Sequence, residues 1–441
     1  MDAEQTDLLE QAKDVLQMND QGGYTVPAEG LYPHQWLWDS CFIAVGLRHT
    51  NIDRAKTEIL SLLRGQWHNG MLPNMIFNAE SQYRRDRELW RSWSSPYSPD
   101  TFATTGITQP PMLAEAIVKI GELLKKAERR SWYKQTYPAL LAYHKWLYAE
   151  RDPHAEGLVL QIHPWETGLD NTPPWMQELH DHQLAFWIRA AKKLNTGWIV
   201  NLFRRDTKRI PGAERLDPIE ALAFYSIQRR LRRKSYDINK ILSHSLFAIE
   251  DLTFNCILIR ANQHLRSIAQ LIKEDLSEEL LERMDRTEAA LEQVWDGYSG
   301  QYYSRNFVTH TLLKEPSIAT LMPLYAGSIT KDRADHLVRL LENADLFGTA
   351  YPVPSVPVKS AWFQPHVYWQ GPTWINTNWL IIDGLKRMGF ADHAAALTET
   401  TLEMLEKSGC YEYFSALDGT PAGAKNFSWT AALAIDLLNC R

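Results

Sequence analysis

Helical periodicity runs along almost the whole of this 441-residue chain and is the feature that most limits its fold. Apolar residues recur three and four positions apart, which is the pattern of amphipathic helices. Strand-like patterns are few and short, at 157–162 and 300–307. The pattern predicts helices at about 5–18, 36–49, 54–66, 109–128, 131–150, 177–194, 217–233, 236–271, 277–294, 331–343, 372–388, 391–407 and 427–439.

Three helix ends carry recognisable signals. Asp217 followed by Pro218 is the pattern of an N-cap with proline at the first helical position. Ser131 is predicted to cap the helix that follows it. Gly409 lies where a residue with a positive φ angle would end the preceding helix.

The chain is predicted to form one domain over residues 1–441, because no Pro-, Gly- or Ser-rich linker divides it. Segment 196–215 breaks the helical pattern and is interpreted as a loop insertion. Many helices and little sheet within one domain favour an all-α toroid, in which helix pairs form a ring. Irregular loops at one end of such a ring would converge on a deep cleft.

Charge and cysteine content exclude several classes of protein. The net charge of -6 gives no reason to expect a nucleic-acid partner, and the basic run at 229–234 is interpreted as a solvated helix face. The four cysteines lie far apart, so neither a disulfide framework nor a zinc site is predicted. No apolar run approaches 18 residues and the N-terminus lacks a signal-peptide pattern, so no membrane partner and a cytoplasmic location are expected.

Tryptophan is unusually abundant, with 17 in the chain, and much of it clusters with polar residues. We call these clusters the five polar-aromatic segments; each breaks the helical pattern at a predicted helix end. Loops of this kind in a helical ring would together line an aromatic pocket that contains carboxylates. The five segments are YPHQWLWDS (32–40), WHNGMLPNMIFN (67–78), HPWETGLDNTPPW (163–175), HVYWQGPTWINTNW (366–379) and CYEYFSALDGTPAGAKNFSWTAA (410–432).

A pocket of this kind fits cleavage of a glycosidic bond. One carboxylic acid must protonate the leaving oxygen, and a second carboxylate must activate water or attack the sugar. Burial against aromatic rings raises the pKa of a carboxylic acid, which keeps a proton available near neutral pH. The candidate acids are Asp39, Asp170, Glu412 and Glu166, and for any single one a helix cap or a loop anchor is the alternative.

Four motifs resemble glycoside hydrolase family 63, and within it the compact bacterial mannosylglycerate and glucosylglycerate hydrolases. They are YPHQWLWDS, WETGLDN followed by proline, YWQGPTW and YEYFSALDGTPAGAKNFSWTAA, and they span both ends and the middle of the chain. The resemblance implies an (α/α)6 barrel and hydrolysis with inversion at the anomeric carbon. Two places depart from the family pattern: Asn426 stands where relatives often carry Gln, and 196–215 matches poorly.

The resemblance also assigns roles to single residues. Asp170 of the WETGLDN motif matches the general acid, and Glu412 of the EYF motif matches the general base. Glu166 then becomes a sugar-binding residue or a support behind the pocket. Further positions that match sugar-binding or pocket-wall residues are Tyr32, Trp36, Trp38, Asp39, Gln109, Trp165, Gly168, Tyr368, Trp369, Gln370 and Trp374.

The aglycone is indicated by arginines in the loop insertion. In the glycerate-specific relatives this region supplies an arginine for the glycerate carboxylate, and Arg204 and Arg205 lie in the matching stretch. A guanidinium group binds a carboxylate through two parallel hydrogen bonds. Two adjacent arginines on a surface loop are otherwise solvated, so the sequence leaves open which of them, if either, faces the cleft.

No cofactor and no catalytic metal are expected, since His163, His180, Asp181 and His182 lack a metal-binding spacing and no phosphate-binding glycine motif occurs. The expected partners are a small glycoside and water, and the sequence leaves a homo-oligomer open. The alternatives are an α-glucosidase or trehalase-like enzyme on a disaccharide, an α/α-barrel sugar isomerase or epimerase that uses histidines, and a catalytically silent sugar-binding protein.

Overall fold

The structure is a computed structural model that describes residues 3–179, 186–194, 204, 206–245 and 247–440. Most of these residues are helical, which confirms the predicted all-α class. The helices are α1 Ala3–Met18, α2 Leu37–Thr50, α3 Ile52–Leu63, α4 Arg84–Trp90, α5 Leu113–Glu122, α6 Lys126–Arg151, α7 Pro164–Thr167, α8 Pro173–Glu178, α9 Phe186–Lys193, α10 Pro218–Arg233, α11 Ile238–Leu242, α12 Leu252–Ile272, α13 Glu278–Ala289, α14 Pro323–Ala326, α15 Lys331–Glu342, α16 Ile375–Arg387, α17 Ala391–Ser408 and α18 Ser428–Asn439.

The strands are short and form antiparallel two-stranded ladders. They are β1 Gln35–Trp36, β2 Met75–Ile76, β3 Ile249–Glu250, β4 Trp295–Asp296, β5 Gln301–Tyr302, β6 Arg305–Asn306, β7 Tyr411–Phe414 and β8 Pro421–Lys425. Strand β1 pairs with β2, β3 with β6, β4 with β5 and β7 with β8. These ladders connect the loops between helices, and the fold itself is formed by the helices.

Within the described residues, six helices pack one against the next in a closed ring. A second helix packs against the outside of each of them, or against the turn that precedes it, so the predicted (α/α)6 barrel is the observed arrangement. In ring order the inner helices are α2, α5, α12, α14, α16 and α18, and their outer partners are α3, α6, α13, α15, α17 and α1.

The inner helix α2 shows why the sequence places it at the centre. Every residue from Leu37 to Arg48 is buried, so this helix has no solvent-facing stripe, as expected of a helix enclosed on all sides. Its neighbour α18 approaches closely at Gly46. A Cβ on Gly46 would lie 2.2 Å from the carbonyl oxygen of Ala432, so only glycine permits this contact.

Most predicted helices are confirmed, with instructive differences at their ends. Asp217 caps α10 by accepting a hydrogen bond from the backbone of Ile219, as predicted. The Ser131 cap is wrong: α6 begins at Lys126, where the Glu128 side chain accepts the backbone N–H of Lys125. Gly409 ends α17 with a φ angle of 79°, as predicted.

Two other predictions changed in detail. The helix predicted at 236–271 is two helices, α11 and α12, because the chain turns into strand β3 between them. The strand predicted at 157–162 is reduced to an isolated bridge between Gln161 and Ile249, whereas 300–307 contains β5 and β6. Among the described residues, no helix is both long and apolar enough to cross a membrane.

Candidate active site

A pocket lies where loops lead into the first turns of the inner helices. Its open volume of about 50 Å³ holds only a few water molecules, so a glycoside fits after side chains at the rim move. The residues that line it are Pro27, Tyr32, Trp36, Trp38, Asp39, Gln109, Gly168, Asp170, Tyr368, Trp369, Glu412, Phe427 and Trp429. Four of the five polar-aromatic segments that were predicted to share one pocket therefore meet there.

The loop that carries Asp170 is shaped by a single helical turn. His163 caps this turn, α7, by accepting the backbone N–H of Trp165. Gly168 ends it with a φ angle of 75°, which a side chain would strain. A Cβ at Gly168 would also lie 2.6 Å from Cη2 of Trp38, so the indole fills the space that the glycine leaves. Asp170 follows two residues later at the pocket.

Asp170 has a weakly polar environment for a carboxylate. The phenol of Tyr368 donates a hydrogen bond to Oδ2 at 3.1 Å, and the backbone oxygen of Asp170 accepts the indole N–H of Trp175 at 2.9 Å. Burial raises the pKa of Asp170 to about 7, and the hydrogen bond from Tyr368 only partly opposes this. A large fraction of Asp170 therefore carries a proton near neutral pH.

Glu412 has the opposite environment. It lies on strand β7 and is 2% exposed. Nη1 of Arg215 donates to both of its oxygens at 3.1 and 3.0 Å, the phenol of Tyr32 donates at 2.8 Å, and the backbone N–H of Ala424 donates at 2.9 Å. These donors stabilise an ionised carboxylate.

Arg215 is a site residue that the motifs did not identify. Its guanidinium lies over the ring of Tyr368, with Cζ 4.6 Å from the centroid, and also contacts the phenol of Tyr32. Although burial opposes the charge, the Glu412 carboxylate holds the pKa of Arg215 well above its usual range. The sequence indicated only the region in which Arg215 lies, because this residue is the last one of the loop insertion predicted at 196–215.

Asp39 is the third carboxyl group of the pocket and lies in the first turn of α2. Burial raises the pKa of Asp39 well above its usual range, and the nearby carboxyl groups of Glu412 and Asp170 raise it further. A protonated Asp39 can both donate and accept a hydrogen bond, which suits a sugar hydroxyl.

Aromatic rings form the pocket wall and its support. Trp38 meets Trp429 edge-on, with ring centroids 5.5 Å apart. Trp369 stacks on Trp374 with centroids 3.8 Å apart and planes 4° from parallel. Trp369 lines the pocket and Trp374 lies behind it, so Trp374 supports the wall and is not part of the surface as predicted.

Three more predicted residues lie outside the lining of the pocket. Trp165 contacts the rings of His163 and Trp90 instead. Gln370 is buried and donates to the backbone oxygen of Asn171 at 3.1 Å. Arg204 bonds the side chain of Asp206 and donates to the backbone oxygen of Leu216 at 2.6 Å. Arg205 lies outside the described residues.

Glu166 is fully buried behind the pocket, in the supporting role that was one of its two predicted roles. Its Oε1 accepts Nη2 of Arg151 at 2.6 Å and the backbone N–H of Thr108 at 3.1 Å. Its Oε2 accepts the backbone N–H of Ile162 at 2.7 Å. Glu166 thus joins the end of α6, the loop before Gln109 and the loop that carries Asp170.

The second polar-aromatic segment, 67–78, contributes no lining residue, so the prediction that all five segments share one pocket is wrong for it. Strand β2 of this segment pairs with β1 and braces the loop that carries Trp36. Its first residues, including Trp67, turn away toward a separate cavity.

Metal-ligating side chains come together in one part of the described structure. His49, Asp436 and Cys440 lie within 4.8 Å of one another, away from the pocket. Nη2 of Arg48 donates to the same Asp436 oxygen as His49 does, at 2.9 Å, so this group is accounted for by an ion-pair network. His180, Asp181 and His182, which were considered as metal ligands, lie outside the described residues.

A helical barrel whose pocket combines several carboxyl groups with a tryptophan wall has the groups that a glycoside hydrolase requires. Comparisons with known proteins identify the family. Residues 32–430 match the family of the mannosylglycerate hydrolase MGH1-like glycoside hydrolase domain, and the chain belongs to this family.

Individual relatives cover almost the whole chain. A mannosylglycerate hydrolase of Thermus thermophilus is 39% identical over 432 residues, which are 96% of this chain and 99% of that protein. A glucosylglycerate hydrolase of Mycolicibacterium hassiacum is 29% identical and covers 98% of both chains. The crystal structure of a family 63 mannosylglycerate hydrolase from Thermus thermophilus with Tris and D-glycerate matches at a TM-score of 0.86 and 37% identity, over 97% of this chain and 99% of that one.

Proposed function

We propose that this glycoside hydrolase cleaves the α-glycosidic bond of a small glycosylglycerate, glucosylglycerate or mannosylglycerate, with inversion at the anomeric carbon. Asp170 protonates the leaving oxygen and Glu412 deprotonates the attacking water. The observation that carries this proposal is the contrast between the two carboxyl groups of the pocket. The pKa of Asp170 is raised to about 7, while Glu412 is surrounded by donors that favour its ionised form.

The substrate class is supported by the relatives and by one cation. The relatives named above are mannosylglycerate and glucosylglycerate hydrolases, and the crystal structure of one of them holds D-glycerate. Arg215 lies close to both carboxyl groups of the proposed reaction, since it bonds Glu412 and its guanidinium lies over Tyr368, the partner of Asp170. We assign the aglycone carboxylate to Arg215, in place of Arg204 or Arg205.

The small volume of the pocket gives Arg215 a second role. A sugar ring does not fit in about 50 Å³, so at least one rim side chain must move when substrate binds. The substrate carboxylate competes with Glu412 for the guanidinium of Arg215 and draws it toward the aglycone. Tyr32 and the backbone N–H of Ala424 still hold the Glu412 carboxylate in place, and one of its oxygens becomes free to accept a proton from water.

The isomerase alternative is disfavoured by the pocket chemistry. Such an enzyme needs a proton carrier that titrates near neutral pH, and histidine is the usual choice. None of the residues that line the described pocket is a histidine. Burial lowers the pKa of His163 to about 3, so this histidine stays neutral at physiological pH.

The test is proton NMR of the purified protein with glucosylglycerate, mannosylglycerate, trehalose and kojibiose, following the anomeric signals from the first minutes. Rapid release of the β-sugar from one of the two glycerates is the expected result, since inversion of an α-glycoside gives the β-anomer. First release of the α-anomer would contradict inversion. Release from the disaccharides alone would identify an α-glucosidase or a trehalase-like enzyme instead.

The role of Arg215 is tested with substrates that differ in charge. We expect Arg215→Met to lower kcat/KM for the glycosylglycerate about 10–100-fold more than for the uncharged glycosylglycerol, because one charge-assisted carboxylate contact is lost. The ratio of the two substrates removes the effect that the substitution has on Glu412. Arg204→Met is the matched control and should leave the ratio unchanged. An unchanged ratio in Arg215→Met would remove Arg215 from aglycone recognition.

The four cysteines of the chain are all free, as expected for a protein of a reducing compartment, and this supports the proposed cytoplasmic location.

A further inference from the structure

A second cavity opens beside the loop of the acid and shares no lining residue with the catalytic pocket. Its volume is about 260 Å³, just below the ~300 Å³ at which pockets for drug-sized ligands begin. Four aromatic side chains contribute to its wall: Trp67, Tyr97, Trp146 and Tyr236. The first of these belongs to the polar-aromatic segment that the catalytic pocket leaves unused.

Two charged groups of this cavity have unused hydrogen-bonding capacity. Arg151 is 3% exposed and lies over the ring of Trp146, with Cζ 5.0 Å from the centroid. Within the described residues, its Nε and Nη1 have no hydrogen-bond acceptor. Glu150, the preceding residue, is half-buried, and its carboxylate has no donor in the part of the chain that the structure describes.

The charges of the lining cancel, which decides the kind of ligand. Arg151 and Lys240 are balanced by Glu150 and Asp237, and Lys240 is already paired with Asp237 at 3.1 Å. An anion would meet the Glu150 carboxylate, and a cation would meet the Arg151 guanidinium. An uncharged polyhydroxylated molecule can use both groups, because hydroxyls accept from guanidinium N–H groups and donate to carboxylates.

We propose that this cavity is a second, non-catalytic carbohydrate site that binds one uncharged pyranose ring. The aromatic walls supply faces for the C–H surface of the ring, and Arg151 and Glu150 bind its hydroxyls. The inference rests on the lining of the cavity and is independent of the substrate proposed for the catalytic pocket.

The cavity is connected to the catalytic machinery through one side chain. Nη2 of Arg151 donates to Glu166, and Glu166 also accepts the backbone N–H of Ile162, another lining residue. A sugar that engages Arg151 therefore contacts the same support that holds the loop of Asp170.

The test combines crystallography with titration calorimetry, using D-glucose and D-mannose as probes. Crystals soaked in either sugar should show density for one ring in this cavity, separate from the catalytic pocket. In calorimetry the wild type should show two sites, and Glu150→Ala should weaken the cavity site about tenfold or more, because a charge-assisted hydrogen bond is lost. Glu288→Ala, an exposed glutamate on α13, is the matched control and should retain both sites.

Three outcomes would overturn the proposal: density confined to the catalytic pocket, two unchanged sites in Glu150→Ala, or entry of inorganic phosphate or D-glycerate in place of the sugars. If the catalytic pocket binds neither sugar, the expected result becomes one site in the wild type and the same site, weakened about tenfold or more, in Glu150→Ala. The two proposals can therefore fail separately.

Discussion

The regions around Asp170 and Glu412 border the same pocket, but they surround their carboxyl groups with very different numbers of hydrogen-bond donors. Asp170 receives one phenol hydrogen bond, and burial raises its pKa to about 7. Glu412 lies on a strand and receives a guanidinium, a phenol and a backbone N–H. Both residues accept a hydrogen bond from a tyrosine, so their environments differ in the number of other hydrogen-bond donors.

This contrast between the surroundings of the two carboxyl groups supports the proposed roles of Asp170 as proton donor and Glu412 as proton acceptor. A carboxyl group that keeps its proton near neutral pH suits general acid catalysis, and one that accepts several hydrogen bonds suits general base catalysis. The two roles predict different responses to substitution, leaving group and pH.

The largest expected effect comes from removing the base side. We expect Glu412→Gln to lower kcat by about 10³-fold or more for every substrate, because activation of water is needed whatever the leaving group. Steady-state kinetics with the glycosylglycerate and with the glycosyl fluoride measure this. Glu399→Gln, an exposed glutamate on α17, is the control and should behave as the wild type.

Removing the acid side should have an effect that depends on the leaving group. We expect Asp170→Asn to lower kcat about 10²–10³-fold with the glycosylglycerate, whose leaving oxygen needs a proton. The loss should be less than about tenfold with the glycosyl fluoride, because fluoride departs without full protonation. Equal losses with both substrates would contradict the assignment of Asp170 as the acid.

Asp170→Asn should raise the stability of the folded protein, although it lowers the activity. The pKa of Asp170 is raised from 3.8 to about 7 in the folded state, so its contribution favours folding at low pH and is lost as the pH rises through that range. At pH 8 we expect Asp170→Asn to raise the free energy of unfolding by about 1–3 kcal/mol, a value reduced for partial exposure of the side chain. At pH 4 the two proteins should differ little. Urea denaturation at both pH values measures this difference. An equal gain in stability at pH 4 and pH 8 would show that ionisation of Asp170 does not destabilise the folded protein.

The smallest expected effect is a shift in the pH dependence of kcat/KM, which should differ between substitutions of Tyr368 and Tyr32. The alkaline limb of kcat/KM should lie near pH 7 in the wild type, where Asp170 loses its proton. The hydrogen bond from Tyr368 lowers the pKa of Asp170, so Tyr368→Phe should move this limb to higher pH, with only a few-fold loss of activity. Tyr32→Phe removes a donor of Glu412 and should leave the limb in place. A limb that moves in Tyr32→Phe and stays in Tyr368→Phe would reverse the acid and base assignments.

Much of the site was predictable because its residues lie within short motifs at helix ends. Helical periodicity indicates where loops occur, and the aromatic and acidic residues in those loops mark the pocket. Trp369 and Trp374 show the limit of this reasoning. Both belong to one motif, but their stacking places one at the surface and the other behind it, and no local pattern determines that order.

Residues fixed by distant contacts were not predictable in the same way. Arg215 reaches the pocket because its guanidinium pairs with a carboxylate almost two hundred positions along the chain. Glu166 lies four positions before Asp170, yet the turn at Gly168 directs it into a buried network with Arg151. Sequence spacing identifies both residues as candidates, and only the folded chain determines their partners.

The close contact between Gly168 and Trp38 fixes the distance between the loop of Asp170 and the indole ring, and this distance does not depend on pH or salt. The indole occupies the space of the missing side chain, so the loop that carries Asp170 two residues later and the tryptophan face of the pocket are spaced by direct steric contact. Hydrogen bonds and ion pairs lengthen or weaken when pH or salt changes, whereas a contact between hard surfaces does not. The spacing between the loop of Asp170 and the face of Trp38 should therefore stay constant when the ionic strength around the protein changes widely.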